Sequence, residues 1–352
     1  MEGSTIQSNM EDNIYLQSGY VNMGLSYDSP FCAWIGARGI GKTYGAIENE
    51  LEAGRTFLLL RKSQTQSDII AKPEFSPLRP NLEARGALYK RVALAKQISG
   101  YYYCDADDEI IDPHPICYTA ALSTFGNLRG GFSGAVIKTI LYDEFVGEPT
   151  EKPLKHEYQA LMNCYETVNR NRELQGQPPV NLIMTANSFD IANNIFMGLG
   201  IVNDVYQMYV DNISVKKWPE RGLQVFLPTK SPISKLKADT VLYRLNRGSD
   251  FEKMALENSF IYDYPEKLGK RPLGEYKVLC KIGELSVCAH KSKHEYYATC
   301  QKTGGCNSIF TTDDRDLERA KIAFPFFRMF HMARKVTFCD YVSQILYEKF
   351  FC

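Results

Sequence analysis

At 352 residues the chain is long enough for about two domains. Its 41 lysines and arginines balance 41 aspartates and glutamates, which excludes a protein that coats nucleic acid through bulk charge but leaves room for a local basic patch. No apolar run of about eighteen residues occurs, and Met1 to Asn13 lacks the basic-then-apolar profile of a secretion signal, so neither membrane insertion nor export is expected. The expected compartment is the cytoplasm, where ten cysteines without a C-x-x-C pair read as buried thiols.

In chain order, the first clear element is the apolar run Phe31 to Ile35, a strand. Directly behind it stands Gly36-Ala37-Arg38-Gly39-Ile40-Gly41-Lys42-Thr43, which fits the phosphate-binding pattern G-x-x-x-x-G-K-[ST]. Gly36, Gly39 and Gly41 let the backbone wrap so that its N–H groups face phosphates, and the helix expected from Thr43 offers its positive end to the same anion. Lys42 is assigned to β- and γ-phosphate charge and the Thr43 hydroxyl to Mg²⁺. That helix ends near Gly54, and Thr56 to Leu60 is the second strand. Segment 61–80 is polar and carries Pro73, Pro77 and Pro80, so it is expected to be a loop over the sheet edge.

Val136 to Tyr142 forms the next strand and runs into Asp143 and Glu144. A helix follows over His156 to Val168, then a turn at Gly176 to Pro179 and a fourth strand, Val180 to Met184, leading to Asn187. This alternation predicts an α/β fold with a mostly parallel sheet. Residues 202–260 turn polar and mixed, with Trp218-Pro219 and Pro228 as breakers, and read as linker plus lid. Beyond them, Tyr276 to Ile282 and Glu284 to Ala289 are strand-like, and 313–322 and 340–350 helical. The expected organisation is a flexible segment over 1–24, a P-loop domain over 25–201, the linker or lid over 202–262 and a smaller α/β domain over 263–352.

A strand ending in two carboxylates behind a phosphate loop predicts ATP hydrolysis. One acid, Asp143, shares the hydration of Mg²⁺, and the other, Glu144, polarises the attacking water. The absence of an N-K-x-D run argues against a GTPase. His290, His294, Cys300 and Cys306 are zinc-ligand types, but their spacing matches no standard finger.

The phosphate loop GARGIGKT, the strand with LYDEF, the run ETVNRNREL and the TAN triplet together resemble, in order and spacing, the DNA-packaging ATPases of phi29-like tailed bacteriophages, small relatives of the large terminases. Leu25 to Asp28, Met254 to Ile261 and Thr311 to Asp314 extend the similarity. The resemblance implies an additional-strand ATPase domain, a C-terminal domain like a vestigial ribonuclease-H-like nuclease, and a homopentameric ring that drives double-stranded DNA through the portal, or connector, of a preformed capsid. That places the protein at the portal vertex in the host cytoplasm, with an RNA or protein adaptor to the portal left open. Nuclease activity is not expected, because the first strand of the C-terminal domain carries Lys277, Cys280 and Lys281 where an acid is needed.

Residue by residue, the same resemblance makes Arg38 a γ-phosphate sensor, Asn187 a coupling residue and Tyr27 a ring stacked on adenine. Arg170 becomes a finger inserted into a neighbour's site, and Arg129 a second basic residue acting across the same interface. Arg61, Lys62 and Lys72, flanking the polar loop, are the DNA-contact candidates. Plainer readings stand beside these. Arg38 is then a solvated loop arginine, Asn187 a turn cap, and Tyr27 a core or rim aromatic. Arg170 and Arg172 are helix-end charges, and the basic residues of 61–72 solvated surface. Two other functions remain at this stage: a helicase-like or partitioning ATPase, and a nucleotide-gated scaffold without turnover.

Overall fold

Runs such as Cys32-Ala33-Trp34-Ile35 and Phe57-Leu58-Leu59-Leu60 are fully buried, as expected of parallel strands covered on both faces. The computed structural model describes residues 14–128, 131–147, 151, 153–187, 190–228, 231–249, 252, 256 and 268–352. It divides into one unit drawn from Met1–Gly198 and Gln207–Ile261, and another from Leu199–Tyr206 and Tyr262–Cys352.

The first unit contains strands β1 (Phe31–Gly36), β2 (Phe57–Arg61), β3 (Tyr89–Ala95), β4 (Ile98–Tyr103), β5 (Cys117–Ala121), β6 (Thr139–Asp143), β7 (Asn181–Asn187), β8 (Val215–Trp218) and β9 (Leu223–Phe226). They form one sheet in the order β3-β4-β5-β2-β6-β7-β1-β9-β8. The inner six, β5 to β9 in that order, run parallel, and β3-β4 and β8 flank them antiparallel. Strand β7 lies between β1, which carries the phosphate loop, and β6, which carries the two acids. Register pairs Gly36 with Asn187 and Thr185 with Asp143, so all these residues reach one edge of the sheet, the C-terminal ends of its strands.

The principal helices of this unit are α1 (Lys42–Glu52), α2 (Gln64–Ile70), α3 (Arg79–Ala84), α4 (Glu157–Asn169) and α5 (Pro232–Ala238). Trp34 stacks on Phe226 with centroids 3.9 Å apart, and its indole N–H donates to Ser26 Oγ at 2.8 Å, tying the entrance of β1 to β9.

Three expectations are corrected here. Segment 61–80 is helical rather than a loop. Ser63 and Gln66 form a capping box at the start of α2, while Pro73 and Pro80 occupy first turns, where a missing N–H costs nothing. Residues 14–24 are not a flexible lead. Ile14, Val21 and Met23 are buried in the core, and the Val21 amide donates to Ile40 O inside the phosphate loop at 3.0 Å. Much of 202–262 is not a separate linker either, because β8 and β9 complete the main sheet. Trp218-Pro219 opens a tight turn closed by Gly222 at φ +58°, so the breaker joins two strands.

The second unit is a five-stranded sheet of β10 (Tyr276–Ile282), β11 (Leu285–His290), β12 (Tyr296–Thr299), β13 (Ile309–Phe310) and β14 (Val336–Phe338) in the order β13-β10-β11-β12-β14. Helices α6 (Asp314–Ala323), α7 (Phe327–Met332) and α8 (Tyr341–Phe351) accompany it. Its core gathers Ile282, Val287, Phe327, Phe338 and Tyr347. The Thr311 to Asp314 stretch is a helix start, with Asp313 accepting from the Asp316 amide at 2.9 Å. Of Met254 to Ile261, all but Leu256 lie outside the described residues.

Candidate nucleotide-binding site

The chain leaves β1 at Gly36 and re-enters regular structure at Lys42. Gly39 (φ +64°) and Gly41 (φ +91°) take the left-handed turns in between, a conformation that side chains with a Cβ rarely adopt. Gly41 sits at the N-cap of α1 with no side chain capping it, so the first-turn N–H groups face the cleft. That cleft, about 290 Å³, is lined by Arg38, Gly39, Gly41, Lys42, Thr43, Tyr44, Asp143, Glu144, Ala186 and Asn187. Six of the predicted site residues with functional side chains, Arg38, Lys42, Thr43, Asp143, Glu144 and Asn187, therefore meet at one place.

The Lys42 ammonium is buried and donates to Gly36 O (2.9 Å), Ala37 O (2.8 Å) and Asn187 Oδ1 (3.3 Å). Burial pushes it down to about 7, with Lys237 and Arg38 adding to the shift and Asp143 and Glu144 opposing it. The Thr43 hydroxyl donates to Asp143 Oδ1 at 2.8 Å, and Thr185 Oγ1 donates to the same oxygen at 2.5 Å. Thr43, Asp143 and Glu144 thus offer oxygen donors only, the set suited to Mg²⁺. Glu144 is held at φ +56°, a costly backbone for a non-glycine residue that persists where the surroundings impose it, characteristically at functional sites.

Arg61, one of the DNA-contact candidates, is engaged with the two acids. Its guanidinium grips Asp143 Oδ2 at 2.8 Å and also pairs with Glu144. The parallel register accounts for it. Leu60 pairs with Tyr142, so the next residue on β2 comes level with Asp143. Lys62 is likewise engaged, 3.5 Å from the buried carboxylate of Glu157; Tyr142 also donates to that carboxylate at 2.5 Å. Of the three DNA-contact candidates, Lys72 is exposed.

Tyr27 does not reach the loop. Its hydroxyl donates to Glu50 and the Arg55 guanidinium lies 4.5 Å above its ring, at the opposite end of α1 from Lys42. Burial, together with Glu50, raises its phenol far above the usual range. The aromatics beside the loop are Tyr20 and Tyr44, both about half exposed. They line an adjoining cavity of about 780 Å³ with Asn22, Glu48 and Asn49. No periodicity marks Tyr20, because the turn that brings it back to Gly41 is set by the Leu16 to Tyr20 backbone bonds.

Arg170 sits at the other edge of the sheet. Helix α4 starts near the Glu144 end and runs about 20 Å back to the start of β7, where the Val180 amide donates to Asn169 Oδ1 at 2.8 Å. Arg170 is exposed, donates to Phe132 O at 3.0 Å and takes φ +50°, ψ −132°. Arg172 is buried and donates to Gly134 O and Ala135 O, each at 2.9 Å, pinning the turn that precedes β6. Arg129 lies outside the described residues.

In the second unit, His290 Nδ1 accepts from the Ser292 and Lys293 amides, and Cys306 donates to Ser308 O. Among the described residues no three His, Cys, Asp or Glu side chains gather as a metal site.

A parallel sheet with a strand inserted between the phosphate-loop strand and the carboxylate strand defines an additional-strand P-loop domain. The sequence model described as Podovirus DNA encapsidation protein (Gp16) matches residues 112–320, more than half of the chain. The DNA packaging protein of Bacillus phage B103 is 23% identical over 337 residues, 92% of this chain and 94% of the relative. That of Bacillus phage phi29 is 23% identical over 324 residues, covering 89% and 88%. Among solved structures, the Phi-28 gp11 DNA packaging motor has the same fold, with a TM-score of 0.59 at 19% identity over 93% of this chain and 94% of that one. The chain belongs to the podovirus DNA encapsidation protein family.

Proposed function

We propose that this DNA packaging protein is an ATP-hydrolysing motor that moves double-stranded viral DNA through the portal into a preformed capsid, as a homopentameric ring. The observation that carries the reading is the convergence of Lys42, Thr43, Asp143 and Glu144 on one cleft at the strand ends, within a family of DNA encapsidation proteins. Thr43 and Asp143 would hold Mg²⁺, which would supply positive charge to offset that of the phosphates. The chain's own part is to hold and polarise. Lys42 and the loop amides bind the phosphates, Thr43 and Asp143 hold the metal's shell, and Arg38 senses the γ-phosphate. Glu144 takes the proton of the attacking water. Asn187, already bonded to Lys42, couples that event to β7. Cleavage of DNA is not part of the proposed activity.

Arg170 cannot serve its own chain's cleft from the opposite sheet edge, and its costly backbone is compatible with a function exerted elsewhere. We assign it to a neighbouring subunit's site. The test of the whole reading is packaging with purified capsid precursor. Nuclease-protected DNA should appear with ATP, and should not appear without it or with Lys42→Ala. ATP-dependent unwinding without protection would overturn the reading in favour of a helicase.

Binding should be proton-linked. With Lys42 lowered to about 7 from its ordinary 10.5, the unfolded chain holds more protons than the folded one between those values, so stability of the nucleotide-free fold rises with pH across that window. Phosphates favour the ammonium, which reverses the sign for binding. At pH 8 ATP binding should take up close to one proton, read from calorimetry in buffers of different ionisation enthalpy, and affinity should fall as pH rises above 7. Zero uptake at pH 8 would contradict it.

The cavity at Tyr20 and Tyr44 is the base site in this reading, in place of Tyr27. Tyr44→Ala should weaken ATP about tenfold through lost stacking and leave inorganic tripolyphosphate unchanged, whereas Tyr27→Phe should alter neither. Competition titrations decide it.

A further inference from the structure

A second lysine occupies the phosphate loop. Helix α5 follows β9, is anchored by Ile233, which is buried, and carries Lys237 over the loop. There the Lys237 Nζ donates to the peptide oxygen of Arg38 at 2.6 Å. The fit depends on Gly39, since a Cβ at that position would stand 2.2 Å from Nζ and 3.2 Å from Cε of Lys237. The loop thus makes room for an ammonium group from a helix nearly two hundred residues further along the chain.

Two lysines crowd one short stretch of backbone, Lys42 on Gly36 O and Ala37 O and Lys237 on Arg38 O, while the nearby carboxylates, Asp143 and Glu144, are both paired with Arg61. Lys237 also acts on Lys42 as a like charge, and burial lowers Lys237 itself. Like charges held together in a partly dry cleft are stabilised by an anion between them. A single peptide oxygen is a weak substitute for one, because charge-assisted bonds to phosphate oxygens are about twice as strong as neutral bonds.

We propose that Lys237 is a second phosphate-binding lysine that leaves Arg38 O to contact the terminal phosphate of a nucleoside triphosphate, so that the segment bearing α5 reads whether the third phosphate is present. The inference rests on the nucleotide reading of the loop given above. It also gives the strands β8 and β9 and helix α5 a function, that of carrying a reporter group from the sheet edge to the site.

The experiment is a titration of the full-length protein with fluorescent N-methylanthraniloyl ATP and ADP, at fixed ionic strength and pH 7, for wild type, Lys42→Ala, Lys237→Met and Lys237→Arg. Thermal melting checks that each variant is folded. Lys237→Met keeps the stem that packs over the loop and removes the charge. It should weaken the triphosphate about tenfold and the diphosphate less than about threefold, with Lys237→Arg restoring most of the preference. Equal affinity of Lys237→Met and wild type for both nucleotides would overturn the proposal, as would equal weakening for both. Failure of wild type itself to bind, or undiminished binding by Lys42→Ala, would instead remove the nucleotide reading on which it rests.

Discussion

Glu144→Gln is expected to bind ATP with near wild-type affinity and to lose turnover by about two to four orders of magnitude. The amide keeps the size and the hydrogen-bonding reach of the carboxylate but cannot accept a proton from water. Its position supports this. Glu144 ends β6 beside the Thr43–Asp143 pair, and its side chain is half exposed to the cleft where Asp143 is buried. An exposed acid next to a buried one divides the work physically, because the buried carboxylate is fixed by Thr43, Thr185 and Arg61 while the exposed one meets solvent water. The pairing of Glu144 with Arg61 adds a condition. The acid must leave or share that cation to act as a base, so the charge lost in Glu144→Gln also weakens the grip of Arg61 there. Steady-state hydrolysis together with fluorescent-nucleotide binding checks the prediction. Turnover within threefold of wild type would refute the assignment.

The second large effect concerns the ring. Arg170→Gly should be nearly inactive by itself, as an arginine acting in trans on a transferring phosphoryl group contributes about 10³ to 10⁵ in rate. Glycine is the substitution of choice because Arg170 holds φ +50° and ψ −132°. Removing the side chain there relieves about 1 kcal/mol or more of backbone strain, so the variant is expected to melt no lower than wild type and lost activity cannot be laid to unfolding. Mixed with Glu144→Gln, it should recover hydrolysis, since some interfaces then pair an intact Arg170 with an intact Glu144. Activity no greater than the sum of the separate variants, under conditions where subunits demonstrably exchange, would exclude a shared site. So would a monomer that hydrolyses at the full rate on dilution.

The elements of the sheet that hold the phosphate loop and the acids could be read from the sequence because their signals are local. A run such as Phe57 to Leu60 is buried on both faces and needs no partner to be recognised, and a loop that must wrap an anion needs its glycines at fixed spacing. The same holds for β10, β11 and the helices at 314–323 and 341–351. Where one local signal masks another, sequence and structure differ. The prolines of 61–80 look like breakers, but Pro73 and Pro80 stand in first helical turns, and Ser63 with Gln66 makes a capping box. Trp218-Pro219 looks like a break in the chain, but it turns one strand into the next.

Tertiary structure alone decided which distant side chains meet the phosphate loop and the acids. Arg61 lies 82 residues from Asp143 and is brought to it by the β2–β6 register. Lys237 reaches Arg38 because β9 pairs with β1, and Tyr20 reaches Gly41 through a turn with no periodic pattern. A basic residue after a strand looks the same in sequence whether it faces DNA, solvent or a carboxylate. The sequence by itself determined the phosphate loop, the paired acids and the family they point to, since those depend on residue type at short range. Register and strand order determined the rest, because the field at a charged group is set by neighbours in space, most of them far away along the chain.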